Sequence, residues 1–137
     1  MSFEVFDHTA DVGLRVRASS IDALFAEAAT ALYSLIVTNP ADLRPVLHKV
    51  VQLTGGQYDL LLFDWLNELL YLFESDLFLA CRCDVHVEDA QLRATLAGEP
   101  ADPVRHRLEH EVKAITYHGL RVEENAGGWL AEVIVDI

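Results

Sequence analysis

Two stretches of the chain carry apolar residues at the three- and four-residue spacing of an amphipathic helix. The first covers residues 21–36, with Ser19 as a candidate N-cap and the helix breaker Asn39-Pro40 behind it. The second covers residues 58–74, where the only polar stripe is Asp64, Asn67 and Glu68. The spacing therefore predicts two long helices, and most of the circumference of the second should be buried.

Strict alternation of apolar and polar residues predicts strands in most of the remaining chain. The alternating segments are residues 12–18, 47–53, 79–87, 92–96, 112–117, 120–124 and 129–136. Turn residues at 88–91 and 125–128 predict two hairpins, and Asp102-Pro103 predicts the start of a short helix. Helices and strands do not alternate regularly, so the pattern indicates an α+β domain spanning residues 1–137. In this domain two helices pack against an antiparallel sheet of about seven strands.

Composition narrows the range of functions. The 137 residues are 52% hydrophobic, which is enough for a folded core, and the formal net charge is −12 with only ten Lys and Arg. Direct binding to nucleic-acid phosphates is therefore disfavoured, whereas a basic protein partner would be attracted. The acidity could equally serve solubility alone. The most apolar run, residues 60–73, is too short and too charged for a membrane span, and no signal peptide is visible. We therefore expect a cytoplasmic protein.

The two cysteines are Cys81 and Cys83, in C-x-C spacing. The two-residue period of a strand places both on one face with Leu79 and Val85, which predicts reduced core cysteines of an intracellular protein. A structural zinc site would need further soft ligands, and there is no second cysteine pair.

The strongest candidate for chemistry joins the two ends of the chain. A short predicted strand at residues 3–6 leads into a loop that contains Asp11, and the last strand ends with Asp136 and the terminal carboxylate of Ile137. If these ends meet, three carboxylates converge, and such like charges need either a counter-cation or raised pKa values. Oxygen ligands suit a hard cation such as calcium or magnesium. The alternative is two solvated acidic ends that never meet.

Three further residues have weaker signals. His8 is three residues from Asp11, and no nucleophile accompanies the pair, so we expect His8 to support the loop by hydrogen bonding rather than to catalyse. Thr9 is expected to close a local turn. Lys113 could contact a nucleotide phosphate or a partner carboxylate, or it could be an ordinary surface charge.

A second metal hypothesis comes from His106, Glu109 and His110, which match the H-x-x-E-H pattern of some zinc peptidases. Two imidazoles four residues apart on a helix can chelate zinc, and the glutamate could act as the base. The alternative is a solvated helix of mixed charge.

Five segments in order resemble the archease family. They are FDHTADVG at residues 6–13, WLNELLY at 65–71, GE at 98–99, EVKAITYH at 111–118 and VDI at 135–137. Together they cover nearly the whole chain. The resemblance implies the archease fold and a non-enzymatic role as an activator of the GTP-dependent RtcB-type RNA ligase in transfer-RNA splicing and RNA repair. Archeases promote guanylylation of the ligase histidine and support its multiple turnover.

The family resemblance also assigns residues. It implies a calcium-type site, with Mg²⁺ or Mn²⁺ as alternatives, formed by Asp11, Asp136 and Ile137, and it suggests Lys113 and His8 for activation or partner contact. Two other functions stay open on the sequence. One is a small metal-dependent hydrolase built on His106, Glu109 and His110, and the other is a chaperone-like binding module with an exposed apolar patch.

Overall fold

The protein, as a computed structural model, is described over residues 1–8 and 10–137, so the turn predicted at Thr9 lies outside the described residues. Both predicted helices are present, as α1 (Ile21–Ile36) and α2 (Tyr58–Asp76). The N-cap of α1 is Ser20 rather than Ser19. Ser20 has extended backbone angles, and its Oγ accepts a hydrogen bond from the Ala23 N–H at 3.1 Å, as a capping side chain must.

One antiparallel sheet joins the two ends of the chain. Its strands are β1 (Ser2–His8), β2 (Asp11–Ala18), β6 (Ala114–Ile115), β7 (Arg121–Asn125) and β8 (Gly128–Asp136). The order is β1-β2-β8-β6, and β7 also pairs with β8, which confirms the predicted final hairpin. The strand predicted at residues 112–117 is reduced to two paired residues in β6.

A second antiparallel sheet contains β3 (Leu47–Thr54), β4 (Phe78–Glu88) and β5 (Gln91–Pro100), in the order β3-β5-β4. The predicted hairpin across residues 88–91 is therefore confirmed as β4–β5. The fold class is α+β, as the sequence indicates, but the strands divide between two sheets instead of forming one. The alternation of side chains specifies strands without specifying which strands share a sheet.

The core forms where the helices meet the sheets. Helix α1 contacts β2 and β8 of the first sheet and β4 of the second. The fully buried side chains of the core include Trp65, Phe25 and Phe78. The Trp65 Nε1 donates a hydrogen bond to the Phe25 carbonyl at 2.9 Å. The second helix is less completely buried than its spacing predicts, because Tyr71 is 62% exposed.

A β-bulge in β4 overturns the prediction for Cys81. The register between β4 and β5 shifts between Ala80 and Arg82, so Cys81 has no partner in the ladder. The extra residue shifts the alternation of side chains, and Cys81 is exposed instead of lying in the core. Cys83 is half-buried, and burial, with smaller contributions from Cys81 and Asp84, raises its pKa to about 12.

Residues 101–113 form an extended strap rather than the predicted helix after Asp102-Pro103. A turn covers residues 103–105, after which Leu108 forms an isolated bridge with Val37. The N–H groups of Glu109 and His110 then donate to the carbonyls of Ile36 and Leu35, at 2.9 and 3.0 Å. The last carbonyls of a helix have no partner within the helix, so the strap is held extended by supplying these donors to α1.

Across residues 1–8 and 10–137, neither α1 nor α2 combines the length and the apolar character required to cross a membrane.

Candidate functional site

Strand register brings the two acidic ends of the chain together. Antiparallel β2 and β8 pair Val12 with Val135, so the next position places Asp11 opposite Asp136. Val12 and Val135 are buried against the helices, and their neighbours therefore face the opposite side of the sheet. Side chains of directly opposite residues on one face are close neighbours. Continued by one position beyond the Val12–Val135 pair, this register would set the side chains of Asp11 and Asp136 side by side on that face.

The end of β8 is held from its other side by β6. Ala114 pairs with Asp136, and the Lys113 N–H donates to the Asp136 carbonyl at 2.8 Å. The side chain of Ile137, the next residue, is partly buried against the core. The side chain of Lys113 is exposed at this same end of the sheet.

His8 borders the acidic pair on the β1 side. It is the register partner of Asp11, and its Nδ1 lies 4.0 Å from the Asp11 Oδ2. This distance is too long for a hydrogen bond, and among the described residues the buried Nδ1 has no hydrogen-bond partner. The ring of His118 lies 5.1 Å from the His8 ring, centroid to centroid. His118 ends the EVKAITYH segment, but sequence reasoning did not single it out because the β1–β2 turn is distant in the chain.

The donor set at this end suits a hard cation. Asp11 and Asp136 share one face. Ile137, the third ligand that the sequence predicts, follows Asp136 directly. Within the described part of the chain, no Lys or Arg nitrogen lies within 4.0 Å of either aspartate. Over the same residues no three His, Cys, Asp or Glu side chains cluster as a ready-made metal site. Carboxylate oxygens are the ligands that a calcium-type ion prefers.

The same sheet face continues into a ladder of opposite charges. The Arg15 guanidinium bonds Glu4 at 3.0 Å on one side and Glu132 at 3.1 Å on the other, and Arg121 also bonds Glu132. Burial raises the pKa of Glu132, but its bonds to Arg121 and Arg15 outweigh this effect and hold the pKa below its usual range. Arg15 and Arg121 are therefore paired with carboxylates. The face thus has an acidic tip, formed by Asp11 and Asp136, next to a ladder whose charges are paired.

The three residues of the zinc hypothesis do not converge, so that prediction is wrong. His106 is buried, its Nδ1 accepts a hydrogen bond from the Asp102 N–H at 2.8 Å, and its Nε2 lies 3.2 Å from the Glu99 Oε2. Both ring nitrogens are therefore occupied. Glu109 and His110 lie on the extended strap, where a spacing of four residues does not bring side chains to one point as it does on a helix.

Glu99 is the centre of a cluster of charged and polar side chains that includes Arg105 and His106. The sequence did not predict this cluster. Its carboxylate bonds Arg105 and accepts a hydrogen bond from the Arg44 N–H at 2.7 Å. Burial raises the pKa of Glu99, but the Arg105 guanidinium, the Arg44 N–H and His106 together hold it below its usual range. The cluster ties the strap to the end of β5, and its polar atoms are satisfied by one another.

Comparisons with known proteins give matches over nearly the whole length of this chain. The model of the Archease protein family matches residues 3–137. The protein archease of Methanopyrus kandleri is 39% identical over 141 residues, covering 100% of both chains. That of Methanosarcina mazei is 35% identical over 140 residues, covering 98% of this chain and 95% of the relative.

Two solved structures share the fold. The solution structure of Methanobacterium thermoautotrophicum protein 1598 has a TM-score of 0.84 and 29% identity, covering 98% of each chain. The crystal structure of an archease from Thermotoga maritima, described as a possible chaperone, has a TM-score of 0.69 and 19% identity. It covers 100% of this chain and 98% of that one.

Proposed function

Because this chain belongs to the archease family, we propose that it is a non-enzymatic activator of the GTP-dependent RtcB-type RNA ligase in transfer-RNA splicing and RNA repair. Its role is to promote guanylylation of the ligase histidine and so to sustain multiple turnover. A cytoplasmic location is part of this proposal. The observation that carries it is the register that sets Asp11 opposite Asp136, within a match to the family that covers residues 3–137.

In this proposal Asp11, Asp136 and the terminal carboxylate of Ile137 hold a divalent cation, with Ca²⁺ favoured over Mg²⁺ or Mn²⁺. When bound, the cation supplies positive charge for phosphate oxygens and neutralises the three carboxylates. The chain contributes a rigid frame, because β2 and β6 hold β8 from both sides at this end. Preorganised charge of this kind assists phosphoryl chemistry without a catalytic side chain.

Residues around the acidic tip supply a surface for the ligase. Tyr117 is 60% exposed, yet its ring stacks on Phe63 of α2 at 3.9 Å between centroids, with an interplanar angle of 15°. Next to it, His118 contacts His8. An exposed aromatic ring held in one orientation is a typical interface anchor. The net charge of −12 favours a basic docking surface on the ligase, and Lys113 is available there for a phosphate or a carboxylate.

The central experiment measures guanylylation of a purified RtcB-type ligase with GTP and a divalent metal, with and without this protein. We expect the wild-type protein to accelerate labelling of the ligase, and Asp11→Asn or Asp136→Asn to reduce the stimulation about tenfold or more, the rate equivalent of about 1.4 kcal/mol of lost transition-state stabilisation. Asp7→Asn is the matched control, because Asp7 is exposed at the same end of β1 and pairs with Val12.

Three outcomes contradict the proposal. A folded wild-type protein that does not stimulate any step of the ligase cycle removes the activator role. Full stimulation by a folded Asp11→Asn variant removes the metal site from the mechanism. Equal loss in Asp7→Asn and Asp11→Asn shows that general acidity, and not this pair of carboxylates, is what the ligase recognises.

Metal binding and ligase contact are separable by a further variant. Calcium should raise the melting temperature of the wild-type protein, since a ligand that binds only the folded state stabilises it, and should leave that of Asp136→Asn unchanged. Lys113→Gln should keep the calcium response and lose part of the ligase stimulation, because its exposed side chain serves the partner rather than the cation.

A chaperone-like binding module is the second candidate, and exposed apolar side chains favour it. Val104 is 93% exposed and Tyr71 is 62% exposed. The related Thermotoga maritima structure is described as a possible chaperone. Suppression of aggregation of an unfolded client by the wild-type protein, unaffected by Asp11→Asn and lost in a Val104→Asp, Tyr71→Asp double variant, would support this function. No suppression at equimolar protein would reject it.

A further inference from the structure

The strand β3 forms an open edge of the second sheet. It pairs with β5 on one side through all eight residues, from Leu47 to Thr54, without a register shift. On its other side, no group of the described residues is hydrogen-bonded to its backbone. Such an edge presents a row of backbone donors and acceptors, for which another extended strand is the complementary ligand.

The other long edges of the two sheets are protected, and β3 is not. In β4 the ladder is broken by the bulge at Cys81, and the Val87 N–H is already occupied by the Asp22 Oδ1 at 2.8 Å. In β1 the exposed carboxylate of Asp7, which forms no ion pair within the described residues, repels a second acidic chain. Bulges, charges and occupied donors are the usual devices that prevent edge pairing. Among the described residues β3 has no bulge and no backbone donor occupied from its open side, and its one lysine, Lys49, is paired with Asp76.

Charge around β3 differs from that of the rest of the molecule. From residue 43 to residue 58 there is no Asp or Glu, in a chain with 22 acidic residues. The cation in the strand, Lys49, turns back to the protein, because its Nζ lies 2.8 Å from the Asp76 Oδ2 and 5.4 Å from the Phe78 ring centroid. Val46 and Val50 are 64% and 65% exposed. The edge therefore carries no carboxylate, and its lysine is paired within the molecule.

We propose that two copies of this chain associate through β3, pairing antiparallel about a twofold axis perpendicular to the sheet. The two three-stranded sheets then become one continuous sheet. A second copy is the occupant because two strongly acidic molecules approach each other best where neither carries a carboxylate. An interface of this symmetry must also be self-complementary, and a regular strand without charges directed outward meets that condition.

The symmetry defines the register. Residues that face each other must lie on the same side of the sheet, so each position pairs with one an even number of residues away. Centring the pair on Val50 sets Val50 opposite its own copy, Lys49 opposite Val51, and His48 opposite Gln52. In this register no like charges face each other. Centring the pair on the adjacent residue, Lys49, would instead set two lysines opposite each other.

Sedimentation velocity of the full chain over a range of concentrations tests the association. We expect a concentration-dependent dimer for the wild-type protein. Val50→Lys places lysines against each other in this register and should raise the dimer dissociation constant about tenfold or more. Thr95→Lys is the matched control, because Thr95 is the cross-strand neighbour of Val50 on the central strand β5 and does not reach the edge. Both positions are exposed, so neither variant should unfold the chain.

A wild-type protein that stays monomeric at millimolar concentration overturns the proposal, and so does a dimer that Val50→Lys leaves intact. Equal weakening by Val50→Lys and Thr95→Lys also overturns it, because the effect would then follow charge rather than the edge.

Disulfide trapping tests the register. In a Cys81→Ser background, Val50→Cys should form an intermolecular disulfide on mild oxidation, because the two introduced thiols face each other across the axis. Gln52→Cys faces His48 instead and should remain monomeric on a non-reducing gel. Cross-linking of Gln52→Cys equal to or greater than that of Val50→Cys contradicts the Val50-centred pairing.

Discussion

The Nε2 of His106 lies 3.2 Å from the Glu99 Oε2, and the two side chains are 0% and 8% exposed. The other ring nitrogen of His106 accepts a hydrogen bond from the Asp102 N–H, so the imidazole connects the first turn of the strap with the end of β5. The strap then continues to Lys113, whose N–H reaches the Asp136 carbonyl. A buried ionic cluster thus determines the path of the segment that borders the acidic tip.

Replacing Glu99 tests how much this cluster contributes to stability. Glu99→Gln keeps the size of the side chain and removes the charge that Arg105 and His106 face. We expect the free energy of unfolding to fall by about 2–4 kcal/mol, because the partners remain in place without their counter-charge. Denaturant unfolding at neutral pH measures this. Glu109→Gln on the same strap is exposed and should change it by no more than about 0.5 kcal/mol, so similar losses in both would contradict the role of the cluster.

The same carboxylate predicts a pH dependence. Because the pKa of Glu99 is lower in the folded chain than in the unfolded one, its stabilisation is fully present above the unfolded-state pKa of about 4.3 and is lost as the pH falls through the folded-state pKa. The difference in unfolding free energy between the wild type and Glu99→Gln should therefore be constant from about pH 7 to pH 5 and shrink toward about pH 3. Denaturant titrations at these pH values measure it. A difference that grows on acidification would reverse the assigned direction.

Gly98 allows a close approach between β5 and β4. A Cβ at this position would lie 2.0 Å from the Leu79 carbonyl oxygen and 2.8 Å from the Ala80 Cα, both of which are backbone atoms that cannot rotate away. Gly98→Ala should therefore lower the free energy of unfolding by about 2–3 kcal/mol. Gly56→Ala is the control, since a Cβ there meets nothing within 4 Å. Thermal unfolding of the two variants separates steric conflict from the general effect of replacing a glycine.

The bulge in β4 predicts unequal reactivity of the two thiols. Cys81 is exposed, whereas Cys83 is half-buried with its pKa raised to about 12, and the thiolate is the reactive form. A disulfide reagent at neutral pH should modify one thiol per native chain quickly and the second only on unfolding. Cys81→Ser should abolish the fast phase. Two rapidly modified thiols in the native protein would contradict the bulge.

Regular elements follow from local pattern, which is why their positions were predictable. The apolar spacing in residues 21–36 matches α1, and the turn residues at 125–128 match the β7–β8 hairpin. The predictions failed where a non-local contact outweighed a local preference. Asp102-Pro103 is a good helix start, but the carbonyls at the end of α1 need donors, and the extended strap supplies them. Cys81 fits the alternation, but one extra residue in the β4–β5 ladder moves it to the surface.

The sequence by itself determined the α+β class, the two helices, the hairpins and the segments by which the family is known. Each depends on periodicity or on residue types that are close together in the chain. Tertiary structure alone decided that Asp11 and Asp136, 125 positions apart, are opposite each other, that Glu99 holds the strap, and that β3 is an open edge. Strand pairing sets these relationships, and pairing is decided by which faces become buried together rather than by the residues of either strand alone.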